Sequence, residues 1–259
     1  MNRVVVLGAS NVSRGLARLV ATVRSRSAEP VEFFVAAGHG RSYGANSRVW
    51  MRRLPSILWS GLWRALDRDG SDNAARESGP LHAMITDVGN DLLYGFPVDQ
   101  VADWVREAAR RLADRGATIA ITRLPLEGIA SVGAIRYRLL RTLYVPGCTL
   151  SLDELKDAAG RLDAALVEVA GTCGATIIEQ PGVWYGLDAM HLRRRSLDTL
   201  WSRICDAWEL PAATARPRAT LQDWAAVGRR AAEVRMLAGR MRYTRQPVLD
   251  RDQLRVSLY

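Results

Sequence analysis

Five short aliphatic runs recur along the first two thirds of the chain, at residues 3–7, 31–36, 81–87, 117–122 and 175–178. Runs this short and continuously apolar fit strands buried on both faces. Helical spacing separates them. Over residues 12–24, Leu16, Leu19, Val20 and Val23 share one stripe while Arg14, Arg18 and Arg24 lie elsewhere. Further helices are expected at 98–113, at 151–169 and at 192–208, the one at 151–169 opening on a Ser151/Glu154 capping pair. Strand–helix alternation places parallel strands in one sheet with helices on both faces. The expected fold is an α/β, three-layer α/β/α sandwich around a mostly parallel sheet of about five strands.

Other stretches are less regular. Residues 47–66 carry Trp50, Leu54, Ile57, Leu58, Leu62, Trp63 and Leu66 at helical spacing, which predicts a long helix interrupted at Pro55. Residues 67–80 are polar and Gly/Ser/Asp-rich, hence a loop. Residues 123–150 are broken by proline and glycine, with a helix option at 134–143. After a linker at 211–217, residues 221–241 place Leu221, Trp224, Val227, Ala231, Val234 and Ala238 on one side of an amphipathic helix. The expected organisation is an α/β domain over 1–210 and a basic extension over 211–259.

The net charge is +9, and Lys156 is the only lysine. From Arg216 to Tyr259 ten arginines meet four acids, so +6 of the charge lies in the tail. An arginine bias follows as readily from the base composition of a coding sequence as from a polyanionic partner, so no nucleic-acid partner is expected. The tail helix and the Trp-rich helix (Trp50, Trp59, Trp63) need burial, so each is expected to pack on the domain or in a homodimer. Three cysteines without CxxC spacing argue against a disulfide framework or zinc site and for a reducing compartment. No leader pattern opens the chain, and no apolar run approaches the roughly 18 residues of a membrane helix. A soluble cytoplasmic protein without a transmembrane segment is the expectation.

The strand ends carry the chemistry. In an open parallel sheet, ligands bind at the C-terminal edge. Four segments fall there or on the last loop: Gly8-Ala9-Ser10-Asn11, the loop around Gly40, Gly89-Asn90-Asp91, and Asp188-Ala189-Met190-His191. They supply a nucleophile (Ser10), a base (His191), an acid to orient that base (Asp188), and oxyanion donors: the N–H of Ser10, that of a loop glycine, and the Asn90 amide. The chain has three histidines. His82 begins a strand, at the wrong edge. His39 is at the correct edge with no carboxylate near it in sequence. His191 has Asp188 three residues away. Asn11, His39, Arg41, Asp91 and Arg123 are candidate substrate-lining residues. Arg41 and Arg123 are candidates for an anionic group.

The order and spacing of these blocks resemble the SGNH hydrolases, or GDSL esterase/lipase superfamily, over about residues 3–209. Gly8-Ala9-Ser10-Asn11 is similar to its first block, Gly89-Asn90-Asp91 to its third, and Asp188-x-x-His191 to its last. Its second-block glycine falls on Gly40, with Gly38 the alternative. The resemblance implies a flavodoxin-like fold and hydrolysis of a small-molecule ester or thioester through an acyl-serine, without metal or organic cofactor. One departure stands in the first block, where Ala9 replaces the usual Asp.

Two other classes stay open. A catalytically silent binding or assembly protein would keep the fold and lose the chemistry. A dinucleotide-binding oxidoreductase would use Leu7-Gly8-Ala9-Ser10 as a phosphate turn. Against it, the glycine after Gly8 is Gly15, too distant for the fingerprint, and residues 35–37 lack an acid for a ribose.

Overall fold

Side chains of β1 (Asn2–Leu7) alternate between two apolar layers, Val5 and Leu7 on one side and Val4 and Val6 on the other. All four are fully buried, and each such side chain stabilises the fold by roughly 1.5–3 kcal/mol. β2 (Val31–Ala36) repeats the pattern, with Phe34 and Ala36 opposing Phe33 and Val35. The computed structural model describes residues 1–49, 51–72, 79–186, 188–213, 217, 219–251 and 253–259.

Two hairpin strands follow, β3 (Ser47–Val49) and β4 (Arg52–Leu54). The main sheet continues with β5 (Leu81–Ile85), β6 (Thr118–Thr122) and β7 (Thr176–Ile178). The tail contributes β8 (Val234–Leu237), β9 (Arg240–Tyr243), β10 (Leu249–Arg251) and β11 (Leu254–Leu258). The central sheet runs β10-β11-β2-β1-β5-β6-β7, parallel except for β10. A second sheet is ordered β3-β4-β8-β9.

On the Val4/Val6 face lie α1 (Ser10–Arg24) and α8 (Arg194–Ala207). The opposite face is covered by α2 (Leu62–Asp72), α4 (Val98–Ala113) and α7 (Leu152–Cys173). Short helices α3 (Asn90–Leu93), α5 (Leu126–Ala130) and α6 (Ala134–Tyr144) stand near the sheet's C-terminal edge. The three layers are those expected, and Ser151 closes the expected capping box on α7.

Three expectations are corrected. The helix over 47–66 is instead the β3–β4 hairpin, a turn, and the start of α2, which runs on to Asp72. Strand pairing to β8 satisfies the backbone that a helix around Pro55 could not. Trp50 lies outside the described residues. Trp59 is 77% exposed, whereas Trp63 is buried under the guanidinium groups of Arg111 and Arg115. Trp59 and Trp63 therefore share no buried stripe.

The tail helix is also shorter than expected. One turn, α9 (Leu221–Asp223), passes into a π-type turn at Trp224–Gly228 and stops. Ala238 and Gly239 then take φ of +48° and +78° and reverse the chain between β8 and β9, as the primed two-residue hairpin turns require. Finally, the sheet has seven strands because β11 adds to β2 in parallel register and β10 closes the edge. Five of the seven are the expected ones. No helix among the described residues is long and apolar enough to cross a membrane.

Candidate active site

Ser10 is the first residue of α1, three positions beyond the end of β1. Gly8 makes the turn possible: a Cβ there would lie 2.6 Å from the Val12 side chain and 2.8 Å from that of Thr86. The first turn of α1 has no acid of its own, and Asp87, beyond the end of β5, supplies one. Its Oδ2 accepts the N–H groups of Ala9 (2.9 Å) and Asn11 (3.0 Å), and its Oδ1 accepts the Asn11 amide (2.8 Å). Orphan N–H groups at a helix start favour a negative partner. Asp87 pairs with these donors from φ +60°, a conformation Asp tolerates better than most residues.

Asn11 then links this corner to the histidine loop. Its Nδ2 also donates to Met190 O (2.9 Å), and its Oδ1 accepts Leu192 N–H (2.9 Å). The residue after Ser10 therefore holds the backbone on both sides of His191. With all three polar partners engaged, the Asn11 side chain is a strut, although it also lines the adjoining cavity.

His191 Nδ1 lies 2.6 Å from Asp188 Oδ2, while Asp188 Oδ1 accepts the N–H groups of Met190 (3.1 Å) and His191 (2.9 Å). Burial opposes ionisation of Asp188, but the imidazole and backbone donors outweigh it and hold the pKa at about 2. The Tyr144 ring meets His191 edge-on, at a centroid distance of 5.8 Å. This arrangement engages Nδ1 and leaves Nε2 without a partner among the described residues. Ser10 and His191 are not joined by a hydrogen bond, and Ser10 Oγ has no partner among the described residues. Catalytic hydrogen bonds are often long before substrate binds.

The two candidate glycines, Gly38 and Gly40, lie on the loop after β2. Gly40 has φ +70°, and a Cβ there would lie 2.4 Å from Val49; both features demand glycine. Gly38 is buried, and its carbonyl accepts Arg41 N–H (3.0 Å), so Gly40 is the more open of the two. Arg52 on β4 holds the preceding carbonyl, that of His39 (3.2 Å). His39 is exposed as a residue, yet its ring is crowded. That desolvation lowers its pKa, followed by Arg52, His191 and Arg14.

Asn90 opens α3 and lines the cavity, with no side-chain partner among the described residues. Three other candidates are placed differently. Arg41 is 1% exposed; its guanidinium donates to Pro55 O, Ala37 O and Tyr259 O. It ties the β2 loop to the end of β11 and does not face a substrate. Burial, with Arg52 nearby, lowers its pKa to about 9. Arg123 lines the cavity, but its guanidinium is engaged by Asp163 and Glu179. His82 sits buried at the start of β5 against Trp208, as expected.

Asp91 does not line the cavity. It is 1% exposed, and its Oδ2 accepts Tyr43 N–H (2.9 Å). Burial raises its pKa from 3.8 to about 6, against the Ser42 and Tyr43 hydrogen bonds, which lower it. The folded chain thus binds more protons than the unfolded one between those values. Stability from this group is present at low pH and falls as pH rises through about 4 to 6, by on the order of 2–3 kcal/mol. Asp91→Asn keeps an acceptor and removes the charge. Urea midpoints should show the variant gaining on wild type at about pH 7.5 relative to about pH 4.5; a difference independent of pH would contradict the assignment.

A cavity of about 110 Å³ adjoins these groups, walled by α5, α6, the start of α7 and the strand ends. Sequence reasoning missed Asp87, whose signal is only a lone acid at a strand end, and the strut role of Asn11.

No protein-family model and no curated protein matches the chain. Among solved structures it is similar to Est24, a carbohydrate acetylesterase from Sinorhizobium meliloti, at 11% identity and TM-score 0.52. That likeness covers 80% of this chain and 98% of that one. It is also similar to a carbohydrate acetylesterase family member from the same organism, at 12% identity and TM-score 0.51, over 81% and 100% of the two chains.

Proposed function

We propose, from the SGNH-hydrolase fold that this chain adopts, that it is a serine hydrolase of carboxylic esters. The observation that carries this reading is the double hydrogen bond from Asn11 across His191, together with the Asp188–His191 pair. It ties the backbone on both sides of His191 to the residue that follows Ser10, while Asp188 orients the ring. In the forward step Ser10 Oγ attacks the ester carbonyl carbon as His191 Nε2 takes its proton. The carbonyl π pair moves to oxygen, where the N–H groups of Ser10 and Gly40 and the Asn90 amide receive the charge. Collapse re-forms the carbonyl, breaks the bond to the alkoxy oxygen and delivers the His191 proton to the departing alcohol. Water, deprotonated by His191, then attacks the acyl carbon; collapse breaks the bond to Ser10 Oγ, which regains the proton from His191, and releases the acid. Thioesters fit the same steps with a thiol leaving group.

Ala9 is compatible with this reading because Asp87 supplies a carboxylate to the first turn of α1. The test is covalent labelling by a fluorophosphonate probe. Wild type should be labelled and Ser10→Ala should not. A folded wild type that resists the probe would overturn the reading in favour of a silent SGNH-like binding protein.

A further inference from the structure

The cavity beside the triad has an unusual chemical balance. Its walls are aliphatic, built from Leu92, Leu124, Ile129, Val132, Leu140 and Leu155. Polar side chains reach it, but their groups are spent within the protein. Thr122 donates to Thr86 Oγ1, Tyr137 to Leu150 O, Tyr185 to Gln180 Oε1, and Gln180 Nε2 to Arg123 O. The exceptions are Asn90, whose amide has no partner among the described residues, and Arg141, whose guanidinium is bonded only through Nη1, to Leu150 O. A polar ligand such as a sugar would therefore find few partners inside, while an apolar chain would lose none.

The placement also distinguishes the two halves of an ester. Asn90 lines the cavity, whereas Ser10 and His191 do not. The carbonyl oxygen belongs with Asn90, and the departing alcohol belongs with His191, which must protonate it. Asn11 and Asp188–Met190 also line the cavity, but none of them protonates the alcohol; Asn90 is the lining group that receives the carbonyl oxygen, so the group that enters is attached on the carbonyl side. A volume of about 110 Å³ is of the order of the ~150 Å³ apolar cavity that accepts benzene, so a chain of about six carbons fits.

Resting on the esterase reading above, we propose that this cavity is an acyl-chain pocket and that the substrates are esters of medium-chain aliphatic acids. The α5–α6 segment forms its outer wall, with Ile129 and Leu140 each partly exposed on a short helix. Tryptophan at either position fills the pocket from its outer side.

The experiment measures kcat/KM for p-nitrophenyl acetate, butyrate, hexanoate, octanoate and dodecanoate. Wild type, Ser10→Ala, Ile129→Trp and Leu140→Trp are compared, with circular dichroism to verify folding. Wild type should peak between butyrate and octanoate, at least tenfold above acetate. Each Trp variant should lower the hexanoate-to-acetate ratio about tenfold or more. Ser10-dependent turnover that is best on acetate, or an unmoved ratio in both folded variants, overturns the pocket and leaves the esterase reading intact. A second measurement is independent of turnover. Hexanoate, and not acetate, should raise the Tm of Ser10→Ala, and adding Leu140→Trp should abolish that rise. Without that rise the pocket assignment fails even if the enzyme is active; with it, the pocket stands even if no ester is cleaved.

Discussion

Ser10→Ala is expected to lower kcat/KM for a p-nitrophenyl ester by about 10⁴-fold or more, with Tm unchanged. In the proposed mechanism the size follows from removing the atom that would form the covalent intermediate; about 10⁴-fold corresponds to about 5.5 kcal/mol of transition-state stabilisation. The unchanged Tm follows from Ser10 Oγ having no hydrogen-bond partner among the described residues, so its removal breaks no hydrogen bond. His191→Ala should cost a similar factor, and the double variant little more, because nucleophile and base act as one unit. Asp188→Asn should also be severe. The carboxylate accepts from Nδ1 and from two backbone N–H groups, and an amide side chain favours the wrong tautomer. With a pKa near 2, Asp188 stays ionised throughout the neutral range and continues to orient the ring there. Steady-state kinetics on the four variants, with melting curves alongside, checks this. Multiplicative losses in the double variant would mean that Ser10 and His191 act independently.

The parts of the site that local sequence specifies were legible, and the parts made by distant chain segments were not. Asp188 and His191 are three residues apart, so their pairing follows from one turn. Ser10 and Asn90 follow strand ends that hydrophobic runs mark plainly. Arg41 follows a strand end too, yet its partners Pro55 and Tyr259 lie 14 and 218 residues away. Its direction is set by β11, a strand hidden in a tail whose apolar residues also fit helical spacing. Val234 and Met236 alternate as a strand would, but Val227, Val234 and Ala238 fit a helix equally well. The Ala238-Gly239 reversal decided between them. Likewise, β3 pairs with β4, and Arg52 and Arg53 of β4 pair with Leu237 and Met236 of β8, far downstream; these pairings overrode the apparent helical period.

Asp87 is the residue whose loss should reach furthest for one side chain outside the triad. Its carboxylate accepts three N–H groups, all from the Ala9–Asn11 corner. Asp87→Ala leaves those donors without their acceptor and unseats Asn11, which is also the strut across His191. Each hydrogen bond to a charged group contributes roughly 1.5–3 kcal/mol, and part is recovered when water enters. A net destabilisation of about 3 kcal/mol is expected, with kcat down about 100-fold and KM nearly unchanged, since both Ser10 and His191 lose their registration. Asp87→Asn separates the causes. It tolerates φ +60° as well as Asp does and keeps one acceptor oxygen. Its amide must still point an NH₂ either at the two backbone donors or at Asn11 Nδ2, so one side of the corner faces a donor with a donor. It should fall between wild type and alanine in both stability and kcat. If it matched alanine, charge would be the whole effect; if it matched wild type, shape alone would suffice. Asp87→Gly relieves the backbone and still removes the acceptor, so it should resemble alanine in kcat while losing less stability. Urea denaturation and saturation kinetics on the three variants read these orders directly, and a kcat for Asp87→Ala within twofold of wild type would show that Asn11 holds His191 without it.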